Sequence, residues 1–227
     1  MANTLIIPDI HGNGFWKNHV NDNKGSQIVF LGDYFDSRYE EYGSKDIETF
    51  LEIIEYKKNN PSTILLIGNH DFHYIIKNEL ERYSGYQPQK AEEIHKLLIE
   101  NSLLMQMAFC TEDTLVTHAG VSKTWCYNNS IDYKEPIEKI TDSVNQLWKF
   151  SKMAFAFKGQ DPYGDSTVSS PIWIRPDSLI SDSINFNQIV GHTTQKEPVE
   201  KEDFNGKKIW FIDCDGTYAH CLITKTD

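Results

Sequence analysis

Five short polar clusters stand out because each follows directly on a run of branched apolar residues. Ile64-Leu65-Leu66-Ile67 stops in Gly68-Asn69-His70-Asp71, Thr4-Leu5-Ile6-Ile7 stops in Pro8-Asp9-Ile10-His11-Gly12, and Gln27-Ile28-Val29-Phe30-Leu31 stops in Gly32-Asp33-Tyr34-Phe35-Asp36. Further on, Thr114 to Thr117 leads into His118-Ala119-Gly120, and Asn187 to Val190 into Gly191-His192-Thr193. A carboxylate, amide or imidazole at the end of a buried strand emerges from a rigid platform, and open α/β folds place their chemistry there.

The residue types suit metal ions. Asp9 and His11, two apart on an extended end, can point the same way and ligate one ion. Asp33 has two oxygens and can bridge to a second, for which Asn69, His118 and His192 offer one oxygen and two imidazole nitrogens. Mixed oxygen and nitrogen ligation without thiolate suits Mn, Fe, Zn or Co better than Ca or a structural zinc; the expected cofactor is a pair of divalent ions, manganese first, with Fe, Zn, Co or Ni as alternatives. Two such ions activate a bridging water and clamp phosphate oxygens. His70 adjoins Asn69 and, on an extended strand end, cannot share its ion, so it faces the leaving group. Asp36 can hold that imidazole protonated, making a general acid. Arg38 and Arg175 are candidates for bidentate contact with phosphate.

The pattern predicts helices that alternate with these strands. A short helix or loop covers 12–25, and Ser37 to Gly43 reads as a polar loop. Ser44 can cap a helix from Lys45 to about Lys58 that buries Ile47, Phe50, Leu51 and Ile54. Further helices are predicted over 72–83, 90–101 and about 136–155. Leu103 to Phe109 reads as one strand in a hairpin with the strand ending at His118. Residues 194–207 read as a polar linker, 208–213 as a strand, and 219–224 as its hairpin partner. Ser170 to Pro176 reads as an extended segment presenting Arg175, and the irregular stretch 121–187 as a cover over the site. His19, His73, His95 and His220 match no cluster and read as structural. Asp213 reads equally as a site residue or part of a turn.

The chain has 227 residues, of which 39% are hydrophobic, enough for one sizeable domain over 1–227. No apolar run of membrane-spanning length and no signal-peptide pattern is present, which predicts a cytoplasmic protein. Cys110, Cys126, Cys214 and Cys221 lack Cys-x-x-Cys spacing, so neither a zinc knuckle nor a thioredoxin-like motif is supported, and reduced thiols are expected. A net charge of −11 argues against stable nucleic-acid binding; two bound divalent cations would offset part of it.

In order and type, the five clusters resemble the calcineurin-like metallophosphoesterases, on the phosphoprotein phosphatase branch and of bacterial or phage type. The resemblance implies an α/β fold, a four-layer αββα sandwich of two mixed β-sheets flanked by helices, with a dinuclear metal site at the strand C-terminal ends. It implies Asp9, His11, Asp33, Asn69, His118 and His192 as ligands and His70 with Asp36 as the acid pair. Four positions depart from the pattern. Pro8 replaces a glycine, Ser37 displaces the usual arginine to position 38, Asp71 stands for glutamate, and Thr194 stands where nuclease-like branches carry a histidine. No arginine follows Asp71 directly either. The expected activity is hydrolysis of phosphate monoesters, on phosphorylated Ser, Thr or Tyr of proteins or on small esters. The alternatives are a dinucleoside polyphosphate or cyclic-nucleotide phosphodiesterase and a non-catalytic metal-binding module. The oligomeric state is left open.

Overall fold

The computed structural model describes residues 3–77, 85–159 and 165–223. The chain forms two compact units. The first runs to Gln106 and takes up the chain again at Gly216; the second is Met107–Asp215.

In the first unit β1 (Asn3–Ile7) is followed by α1 (Trp16–Asp22), β2 (Gln27–Phe30), a single helical turn α2 (Glu40–Gly43) and α3 (Asp46–Asn59). Next come β3 (Ile64–Leu66), α4 (Asn69–Ile76), α5 (Ala91–Glu100) and β4 (Met105–Gln106). The strands β1, β2, β3 and β4 lie side by side in parallel. Ile6, Ile7, Val29, Phe30, Leu65 and Leu66 are all buried, as continuous branched runs in a two-side-covered sheet should be. The α3 face is rotated from expectation: Thr49, Phe50, Ile53 and Ile54 are buried, whereas Leu51 is exposed. No Ser44 side-chain cap forms, because its hydroxyl donates to the Glu41 carbonyl that closes α2.

In the second unit β5 (Ala108–Cys110), β6 (Thr114–Thr117), α6 (Lys123–Asn128), α7 (Ile137–Phe150), α8 (Pro176–Asp182), β7 (Asn187–Val190), β8 (Val199–Glu202) and β9 (Lys208–Phe211) follow in order. The sheet runs β5-β6-β7-β9-β8, parallel at its centre and antiparallel at both edges. The described residues of the stretch 121–187 include the helices α6, α7 and α8. From α8, Leu179 packs with Ala119, Val190, Ile209 and Phe211. The last strand, β10 (His220–Ile223), pairs antiparallel with β1 and edges the first sheet. Among the described residues each sheet has five strands, and both are mixed, as expected.

Other expectations fail as well. Leu103 to Phe109 is not one strand: Ser102–Leu104 is a 3-10 turn, β4 joins the first sheet and β5 the second. The break falls at buried Met107, where the Asn145 side chain accepts from the Met107 and Ala108 N–H groups and donates to the Ala108 carbonyl. The 194–207 linker contains β8, which forms a hairpin with β9, and so β10 is free to pair with β1 rather than β9. The segment 170–176 is not extended throughout: the Trp173 and Ile174 N–H groups both donate to the Ser170 carbonyl in a turn, and Pro176 opens α8. The expected helix over 72–83 begins earlier, at Asn69; residues 78–84 lie outside the described residues. Among the described residues no helix is long and apolar enough to cross a membrane.

Candidate metal and acid site

In the first unit the chain leaves β1, β2 and β3 at the same sheet edge, and hydrogen bonds tie the three loops together. The Ile10 and His11 N–H groups both donate to the Asp33 carbonyl, at 3.1 and 2.7 Å. Gly68 is required by contact: a Cβ there would collide with the Asp33 carboxylate and backbone nitrogen. Asp71, expected to emerge beside His70, turns inward instead. Its carboxylate accepts from the N–H groups of Asp33 (2.8 Å), Tyr34 (2.8 Å) and Gly68 (2.9 Å). The cause is the early start of α4, which makes Asp71 the third helical residue, able to reach back to the cap. His11, Asp33, Asp36 and His192 have φ of +45°, +50°, +66° and +65°. Non-glycine residues in the left-handed region cost about 1–3 kcal/mol each and concentrate at functional sites.

One donor atom each of Asp9, His11 and Asp33 lies within 4.8 Å of the others. His11 Nδ1 is 2.6 Å from the Phe35 carbonyl, which fixes the tautomer and leaves Nε2 to face Asp33 Oδ2 at 3.8 Å. Burial, reinforced by the neighbouring His70 ring, lowers the His11 pKa to about 4, so the ring is neutral near pH 7. Asp33 Oδ1 accepts the His70 N–H at 2.8 Å. Burial first, then the charges of Asp9 and Asp71, push the Asp33 carboxyl well above its ordinary range. A divalent cation fits these donors: it would relieve that repulsion and meet a neutral imidazole lone pair. Asn69 is the first residue of α4 and is buried.

His70 lies beside this cluster, with its ring 5.2 Å from that of His11. Its Nδ1 is 3.0 Å from Asp36 Oδ2. Burial alone would raise the Asp36 pKa, but hydrogen bonds from His70 and His73 hold it at about 2. His73, read from the sequence as structural, therefore belongs to this group, with Nε2 2.7 Å from Asp36 Oδ2. Its signal was position: on a helix beginning at Asn69, residues 70, 73 and 74 share one face. Arg38 is exposed, and its charge contributes to depressing the His11 pKa.

In the second unit, His118 and His192 end the parallel neighbours β6 and β7, with ring centroids 5.1 Å apart. The Gly191 N–H donates to the His118 carbonyl at 2.8 Å. His192 Nε2 is 3.2 Å from the Trp173 carbonyl. Arg175 caps α8 and donates to the Thr193 hydroxyl at 3.1 Å. Asp213 accepts from the Thr194 hydroxyl at 2.8 Å.

Residues 2–162 match the sequence model of the calcineurin-like phosphoesterases. Among solved structures, the chain is similar to a cold-active protein-tyrosine phosphatase of a psychrophilic Shewanella species, with TM-score 0.59 and 17% identity over 95% of this chain and 72% of that one. It is also similar to a protein serine/threonine phosphatase from Saccharomyces cerevisiae, with TM-score 0.53 and 17% identity over 93% of this chain and 67% of that one. No match was found among curated proteins.

Proposed function

The chain belongs to the calcineurin-like phosphoesterase family and is a phosphoester hydrolase, and we propose that its substrates are phosphate monoesters, on phosphorylated Ser, Thr or Tyr of proteins or on small molecules. The observation that carries this reading is the His70–Asp36 pair at 3.0 Å, beside the Asp9, His11 and Asp33 donors. A monoester with a poor leaving group needs a proton at its departing oxygen, and a histidine held by a carboxylate supplies it. The two solved relatives are named as protein phosphatases of different residue classes; the proposal extends that class to this chain without choosing between them.

The proposed metal ligands are Asp9, His11, Asp33 and Asn69 from the first unit with His118 and His192 from the second, and the proposed metal is manganese. When bound, two such ions supply a nucleophilic water and charge neutralisation of the phosphate. The chain's own groups do the rest. Asp36 orients His70 by accepting from Nδ1, so the Nε2 proton is directed to the leaving oxygen. Arg38 and Arg175 are proposed to hold the phosphate oxygens, neutralising charge as it develops.

Hydrolysis of p-nitrophenyl phosphate with added Mn²⁺, set beside bis-p-nitrophenyl phosphate, tests this reading. The monoester should be preferred by kcat/KM, and a chelator should abolish turnover. Preference for the diester, or activity that persists in chelator, overturns it.

A further inference from the structure

Asp36 is held by more than His70. His73 Nε2 reaches the same Oδ2 at 2.7 Å, and the Tyr74 hydroxyl donates to Oδ1. The Gln87 N–H donates to the Tyr74 oxygen at 2.9 Å, which orients the hydroxyl proton toward Asp36. Tyr86 stacks on Tyr74 with ring centroids 5.0 Å apart and planes at 17°, and it meets the His73 ring edge-on at 5.0 Å. Behind this, Gly85 approaches so closely that a Cβ would come within 2.8 Å of the Asp36 carbonyl oxygen. His73 is 2% exposed and sits one helical turn from His70.

The three groups Asp36, His70 and His73 also have the composition of a metal site. The separations argue otherwise. Two ligands of one tetrahedral ion at about 2.0–2.1 Å stand roughly 3.3 Å apart, whereas the nitrogens here are 3.0 and 2.7 Å from the carboxylate oxygen. At those distances His70 hydrogen-bonds the carboxylate and His73 makes a close ion-pair contact with it.

We infer that His73 is a positioning residue for the general acid. With Tyr74 it pins the Asp36 carboxylate in the orientation that presents Oδ2 to His70 Nδ1. The inference rests on the acid role of His70 in the proposed function. A carboxylate with one donor on one oxygen can rotate about its Cβ–Cγ bond; donors on both oxygens, arriving from fixed positions on one helix, stop that rotation. His70 then keeps a single ring orientation, with Nε2 toward the leaving group.

The experiment compares wild type, His73→Phe, His73→Gln, His70→Asn and the double variant His70→Asn/His73→Phe on phenyl phosphate and p-nitrophenyl phosphate, with metal content and melting temperature measured beside the kinetics. His73→Phe should lower kcat on phenyl phosphate by roughly 10- to 10²-fold, the cost of misplacing a reacting group. KM and metal content should stay unchanged, and the loss should be much smaller on p-nitrophenyl phosphate, whose leaving group needs little protonation. His73→Gln, which retains a donor, should recover most of the rate. In the double variant, His73→Phe should add nothing to the loss caused by His70→Asn, because it acts through that ring. Equal losses on both esters, or additive losses in the double variant, would show that His73 merely supports the fold. If His70→Asn itself slows both esters equally, the acid role fails and the inference falls with it; if only His73→Phe does so, the acid role stands alone.

Discussion

Asp71 joins the ends of β2 and β3 through three backbone N–H groups, those of Asp33, Tyr34 and Gly68, and so it sets the position of Asp33 without offering an oxygen to the site. Removing it leaves three buried donors without their acceptor, each worth about 1–3 kcal/mol. Asp71→Ala is therefore expected to destabilise the protein by roughly 3 kcal/mol or more by this reckoning, and to lower metal content, because Asp33 loses its backbone anchor. Chemical denaturation and metal analysis check both effects. The types and order of Asp9, His11, Asp33, Asn69 and His70 were readable in the sequence because each follows a buried run. The inward turn of Asp71 and the inclusion of His73 were not. Both depend on α4 starting at Asn69, three residues before the position that Phe72 suggested.

At the scale of elements, the strands that carry the site follow from their branched apolar runs, and α5 and α7 bury Ile94, Leu98, Ile137, Ile140, Val144 and Trp148 at helical spacing, with Leu97 and Leu147 only half-buried. What the pattern did not disclose was partnership. An apolar run over 103–109 cannot reveal that it serves two sheets; the division is made by a distant side chain, Asn145, which takes over the bonds of Met107 and Ala108. The polarity of Glu200, Lys201 and Glu202 hid an edge strand whose outer side meets water. Asn145→Ala should cost about 2 kcal/mol in a urea titration, since two amide hydrogens at buried residues lose their acceptor. Asn145→Asp, which retains that acceptor, should cost less.

For the whole molecule, a net charge of −11 accompanies a cluster in which burial and neighbouring carboxylates already penalise the ionised form of Asp33. Bound divalent ions relieve that penalty only in the folded chain, so chelation should lower the melting temperature, and Mn²⁺ should restore it in a concentration-dependent way. The proposed function divides labour between imidazoles that would hold metal and one that would hold a proton. Metal content measured beside kcat on phenyl phosphate and p-nitrophenyl phosphate, for His118→Ala and His70→Asn, tests it directly. His118→Ala should lose metal and turnover together. His70→Asn should keep its metal and lose roughly 10²- to 10⁴-fold in kcat on phenyl phosphate, with a smaller loss on p-nitrophenyl phosphate. Loss of metal in His70→Asn, or equal slowing of the two esters, would contradict the assignment.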